Sequence, residues 1–244
     1  AQGSNSANNQ RISNSASSAS AHAASNSSSI NSYSQAISAS VSSVESENNS
    51  LNNFNDYMNS LSMAVQQMSL NDTNPNSSEI YSASSVIDAD SLNISNAIFN
   101  TSNLVAGNSI ASISSMISSA STDASTDAVK VSNESKTVSN EVSAANSYFN
   151  KGDASDAVKN ENSASSTASL ASSVAADTDS DVSVASNAYS SANSLYNDVN
   201  GVLNSVTSTY ADDMDADLAT ATDRVKDYQN QIDDDNVDAL SEYD

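Results

Sequence analysis

Ile30, Ile37, Val44, Leu51, Met58 and Val65 recur in steps of seven. Tyr33, Phe54, Leu61 and Met68 form a second row three residues behind, in which Ser40 and Glu47 are polar exceptions. Run backwards, the frame collects Ala16 and Ala23 in the first row and Ile12, Ala19 and Asn26 in the second. Apolar residues at alternating spacings of three and four mark a helix that buries one narrow stripe. A strand would alternate at every second residue, and this stretch does not. The spacing predicts one helix over residues 10–70.

The run stops at Asn71-Asp72-Thr73-Asn74-Pro75-Asn76-Ser77-Ser78. Pro75 removes an amide N–H and disfavours helix at Asn74. Ser77 or Ser78, just ahead of Glu79 and Ile80, supplies cap chemistry for a new helix. Ile80, Ile87 and Ile94 then restore the heptad, with Ala83 and Ala97 beside them. The frame drifts through Ile98, Leu104 and Val105 near Gly107, leaving the core register open over residues 98–107. It resumes as Ile110, Ile117, Ala124, Val131, Val138 and Ala145, with Ile113, Ala120 and Tyr148 in the second row. Asp127, Glu134 and Glu141 occupy that second row too, so one edge of this seam is wet. A single helix with a frame shift is expected over 79–149.

Asn150-Lys151-Gly152-Asp153 reads as a tight reversal, with Gly152 suited to a left-handed C′ position and Asp153 to the next N-cap. A third helix is expected over 153–240. One of its rows is Ala168, Ala175, Val182, Tyr189, Tyr196, Leu203 and Tyr210; the other is Ala164, Ala171, Ala185, Ala192, Val199 and Val206. Further on, Val206, Tyr210, Met214 and Leu218 follow one another in three successive steps of four, which break the alternation as a stutter. Gly201 falls on the outer face.

Composition explains why such helices must pack together. About a quarter of the 244 residues are Ser, and only 37% are hydrophobic. That is too little for a thick globular core but enough for a narrow one. Disordered spacers are usually rich in Gly and Pro, whereas this chain has four Gly and one Pro. Ser and Asn are mediocre helix formers, so no helix here is stable alone and packing must supply the stability. The small-residue stretches 12–26, 120–149 and 154–178 match one another if the chain runs up, down and up, and the bulky stretches match at the opposite end. The expected fold is therefore all-α: an elongated antiparallel three-helix bundle or coiled coil of very long helices, forming a single module over 1–244. The third helix outruns the Pro75 hairpin, and its surplus over 220–244 is expected to continue into a neighbouring module.

Thirty acidic and seven basic residues give a formal charge of −23, which argues against a nucleic-acid partner, whose phosphates need clustered Lys and Arg, and disfavours an anionic membrane face. No apolar run has the length of a membrane span. Without Cys there is neither a disulfide framework nor a thiolate metal site. The chain opens Ala1-Gln2-Gly3-Ser4, with no Met and no signal-peptide core, as a processed protein or fragment would.

Candidate sites are few, and each has a plainer explanation. Asp177-Thr178-Asp179-Ser180-Asp181 lacks the Gly turn and closing Glu of a calcium loop and reads as a solvated helix face. Asp233-Asp234-Asp235 is an acidic run with at most unspecific divalent affinity. His22, the one histidine, is expected on a helix surface in an Ala-thin region, without a pocket to exclude water, so no catalytic triad is assigned. Tyr189, Tyr196 and Tyr210 are core residues with hydroxyls at the bundle edge rather than a sugar-stacking stripe. Lys130, Lys136, Lys151 and Lys159, with Arg11 near them, balance charge at one end. Asn71-Asp72-Thr73 and Asn100-Thr101-Ser102 match the N-glycosylation pattern, which chance produces often in so Ser- and Asn-rich a chain. No catalytic, cofactor-binding or metal-ligating residue is assigned.

The Ser-, Ala-, Asn- and Asp-rich, Cys-free helical segments with heptad seams resemble the long helical stalk regions of cell-surface adhesins of Gram-positive bacteria, lactobacilli in particular. The likeness is compositional and covers nearly the whole chain. It implies a cell-wall-associated extracellular protein in which helical modules extend a binding tip, and it supplies no functional residues. The leading expectation is a non-catalytic spacer, open to self-association or tandem neighbours. The alternative makes the bundle itself a module that binds a host receptor or glycan. An ice-binding bundle would need regularly spaced Thr, which is missing, and a disordered spacer is the remaining alternative.

Overall fold

The computed structural model describes residues 2–71, 89, 92–103, 105 and 110–241; side chains are described for 5–56, 59–60, 63, 89, 92–103, 105, 110–206 and 208. Every described element is helical. Helix α1 spans Gln2–Asn71, α2 covers residues 92–103, α3 spans Ile110–Asn150 and α4 spans Ala154–Ser241. The Pro75 turn, the Ser77/Ser78 cap and the junction at 106–109 lie outside the described residues. Contacts divide the chain into two units: residues Ala1–Val41 with Asn108–Ser194, and residues Ser42–Gly107 with Leu195–Asp244.

In the first unit three core clusters each draw on α1, α3 and α4. One joins Ile12 and Ala16 to Val138 and to Ala164 and Ala168. A second joins Ala19 and Ala23 to Val131 and to Ala171, Val174 and Ala175. A third joins Ile30 and Ile37 to Ile113, Ile117, Ala120 and Ala124 and to Ala185, Ala188 and Ala192. From one cluster to the next, residue numbers rise along α1 and α4 and fall along α3. Side-chain size is complementary within a cluster: the isoleucines of α1 and α3 meet the buried alanines of α4, flanked by half-buried Val182 and Tyr189, which keeps helix separation short.

In the second unit the buried apolar residues among those described are Val44, Leu51, Ile94, Leu195, Val199 and Val206. Ser95 Oγ donates to Asn55 Oδ1 at 3.1 Å, tying α2 to α1.

The heptad rows account for most of this burial, with instructive exceptions. Ala16, Ala23, Ile30, Ile37, Val44 and Leu51 are all buried, while Tyr33, Glu47 and Phe54 in the companion row are half-buried. Asn9, seven residues before Ala16, extends the buried row and donates through Nδ2 to Asn146 Oδ1 at 2.8 Å. On α4 the spacing of seven also collects Thr178, fully buried between Ala171 and Ala185. A third row on α4, containing Val174, Ala188 and Leu195, is buried as well. In the first unit the clusters show the reason: α4 packs against both α1 and α3 and so needs a wider apolar face than a two-helix seam. Tyr148 departs from expectation, at 37% exposed. It lies in the last turn of α3, where the packed seam runs out, and Phe149 is half-buried instead.

Serine-rich helix is accommodated locally. Ser29, Ser32, Ser38, Ser139 and Ser143 each donate their hydroxyl to the carbonyl four residues earlier, a bond that lets an exposed hydroxyl coexist with the helical backbone. The α3–α4 reversal is a Schellman turn: Gly152 N donates to Phe149 O and Asp153 N to Tyr148 O, both at 3.0 Å. Gly152 has φ of 81°, the left-handed region that a Cβ resists. Asp153 then caps α4, its Oδ1 accepting from Asp156 N at 3.1 Å. Gly201, by contrast, sits mid-helix and exposed, with open space where a Cβ would go. Gly201→Ala should therefore raise stability by about 1 kcal/mol through helix propensity alone. Urea unfolding that showed no gain would mean the helix is not formed there in solution.

Candidate functional site

Among the described residues, a polar group with several cross-helix bonds lies between α1 and α4. Its members reach one another because residues 22 and 26 are one turn apart on α1, and residues 178 and 179 meet them from α4. His22 Nε2 lies 2.8 Å from Asp179 Oδ1, and Asn26 Nδ2 donates to the same oxygen at 2.7 Å. Asn26 Nδ2 also lies 2.8 Å from Thr178 Oγ1, whose own hydroxyl donates to Ala175 O at 2.6 Å. Facing an ionised carboxylate, His22 Nε2 carries the hydrogen. The bonds from Asn26 and then His22 hold the Asp179 carboxyl below its ordinary pKa.

Beside this group runs an open groove of about 320 Å³, lined by Ser15, Ser18, Ala19, His22, Ser172, Ala175, Ala176 and Asp179. It exists because the floor is alanine: small side chains at the α1–α4 contact leave a trough where larger ones would fill it. Sequence reasoning expected no pocket around His22 that excludes water; the open trough itself was not foreseen, because spacing within one helix gives no signal of a trough between two. The trough does not exclude water, since His22 and Asp179 side chains are 50% and 58% exposed. Ser172 Oγ turns to Ala168 O at 2.9 Å. The geometry is that of a clasp between two helices, in which one carboxylate oxygen collects two donors from the neighbouring helix.

The other sequence candidates are dispersed. Within 177–181, Thr178 is core, Asp179 belongs to the clasp and Asp181 is half-buried, so this stretch is only partly a solvated face. No group of three or more His, Asp or Glu among the described residues is placed to hold a metal ion. Tyr189 is half-buried against the third cluster, with its ring 5.7 Å from that of Tyr33 at a tilt of 41°. Tyr196 is half-buried. Tyr210 and Asp233–Asp235 lie in α4, but their side chains are outside the described set. Lys159 pairs with Asp156 at 2.8 Å, Arg11 donates to Asn8 Oδ1 at 2.9 Å, and Lys130, Lys136 and Lys151 are exposed. Thr101 of the Asn100 sequence is fully buried and donates to Ala97 O at 2.9 Å, while Asn71-Asp72-Thr73 extends outside the described residues.

The acidic members of the heptad rows bring polar atoms into the helix contacts. Glu47, in a seam row, is half-buried, and desolvation pushes its pKa up. The Oε2 atoms of Glu47 and Glu134 are buried without a hydrogen-bond partner among the described residues. No described helix is long and apolar enough to cross a membrane. Comparison with known proteins finds no matching protein family, no matching curated protein and no matching solved structure.

Proposed function

We propose that this chain is a structural spacer of an extracellular bacterial adhesin or filament, built as an up-down-up bundle of long helices and without a catalytic role. The observation that carries this reading is helical continuity: α1 runs for 70 residues and α4 for 88. At 1.5 Å per residue such helices have contour lengths on the order of 100 Å. The opposite running of α3 through the three clusters supports the alternation of direction. The charge of −23 supports a surface that repels its neighbours rather than adhering to them. A place outside the cell, associated with the cell wall, rests on the likeness to adhesin stalks.

Small-angle scattering of the purified chain tests the proposal. A column on the order of 100 Å long has a radius of gyration of roughly 30 Å. A compact globule of 244 residues would give about 18 Å, and that result, or a random-coil profile, rejects the spacer. A second reading, a glycan- or receptor-binding bundle, is favoured by the hydroxyl-lined groove beside His22. Reproducible retention of the isolated chain on a glycan array, abolished by filling the groove with Ala19→Leu, would replace the first reading with the second.

A further inference from the structure

Helix α1 is tied to its neighbours by polar bonds at two levels of the first unit. Near the α3–α4 turn, adjacent Asn8 and Asn9 reach different helices: Asn8 Nδ2 donates to Glu161 Oε1 of α4, and Asn9 Nδ2 to Asn146 Oδ1 of α3 at 2.8 Å. Farther along, His22 and Asn26 meet Asp179 and Thr178 of α4. Between these levels Ala16, Ala19 and Ala23 are buried, with buried Ile12 before them and fully buried Ile30 after them. The three-residue turn at 151–153 holds α3 and α4 in register with each other.

A slide of α1 that keeps its apolar rows in phase must cover seven residues, about 10 Å. If α1 moved that far toward the α3–α4 turn, Ile30 would enter the place of Ala23, among Val131, Ala171, Val174 and Ala175, with three carbon atoms too many. The amide of Asn26 would enter the place of buried Ala19, and the bonds of Asn9, His22 and Asn26 would break. The reverse slide would bring Ile12 to the place of Ala19. Helices α1 and α4 run the same way through the three clusters. Pulling the start of α1 against a later point of α4 is therefore a pull along the helices, in the first of these two directions.

We propose that α1 is locked lengthwise on the α3–α4 hairpin, with Ile30 as the stop, so that the first unit passes tension from α1 to α4 without the helices sliding. This deepens the spacer reading, on which its use in a cell rests. The lock is a property of the folded unit, so pulling decides the lock while scattering decides the spacer.

Optical-tweezers pulling on the full chain tests this, because a chain without Cys takes handles only at engineered ones. Ser6→Cys with Ser194→Cys, both at exposed positions, pulls α1 along α4. Ser6→Cys with Asn162→Cys, exposed and close to the level of the Asn8–Glu161 bond, pulls the two helices apart sideways. At one pulling speed the lengthwise pair should open the first unit at roughly twice the sideways force. Ile30→Ala and Ile117→Ala remove the same atoms from one core cluster, so both should weaken sideways opening alike. Ile30→Ala should lower the lengthwise force about twice as much as Ile117→Ala, because it alone removes the stop. If an alanine variant does not fold, Ile30→Val and Ile117→Val enter the same comparison with the same expected order. A lengthwise force no greater than the sideways one, or equal lengthwise losses for the two variants, overturns the lock.

Discussion

Ile30→Ala should destabilise the first unit by about 3 kcal/mol. Ile30 is fully buried and belongs to the cluster in which Ile37, Ile113 and Ile117 meet Ala185, Ala188 and Ala192. Truncation removes three carbon atoms from a level where the fully buried residues of α4 are alanines, with Val182 and Tyr189 at the rim. Those alanines have no rotamers with which to reach into the space, so the cavity stays open and adds to the lost transfer energy. Domains of this kind are stable by only about 5–15 kcal/mol, so the loss is a large share of the total. Urea unfolding monitored by circular dichroism measures it. Leu170→Ala is the matched comparison: Leu170 is half exposed on α4 and its truncation should change stability by no more than about 0.5 kcal/mol. If the two truncations cost the same, the seam through Ile30 is not the core.

The second large effect has the opposite chemistry. Ala23→Leu adds apolar surface yet should cost about 2 kcal/mol. Ala23 is completely buried among Ala19, Val131, Ala171, Val174 and Ala175, where close helix approach depends on small side chains. Three added carbons must either push α1 away from α4 or take a strained rotamer. Pushing the helices apart would also lengthen the bonds of His22 and Asn26 to Asp179, one turn farther along. A loose, fluid bundle would welcome the extra hydrophobe. A gain in stability on Ala23→Leu would thus refute specific packing at this level, and no change would show that the helices are farther apart than described.

The reversal between α3 and α4 was the most legible feature of the chain, because its chemistry is local: Gly152 and Asp153 each do at their own position what their residue type does best. The rows of seven were legible for the same reason, since a helix brings residues seven apart onto one face whatever surrounds it. Three things were not. Asn9 and Thr178 lie in those rows but are polar, and whether a polar residue at a seam is core or a break depends on a partner such as Asn146, 137 residues away. The third row of α4 answers to the number of neighbours that helix has, which its own spacing does not encode. The bond between His22 and Asp179 depends on how far α1 and α4 slide along each other, and a heptad repeat permits any slide by seven. Buried Asn9, bonded across to α3, is the kind of group that resists such slides.

Each level of the first unit's core takes side chains from three stretches far apart in the chain. Insertion or deletion of seven residues in one helix would therefore keep its own stripe in phase while setting every later level against the wrong partners. Descendants of such a gene can change length only through three coordinated events, one per helix, or by copying the whole module. Natural length variation should accordingly come as whole units, and single-heptad indels should be confined to stretches that pack against nothing.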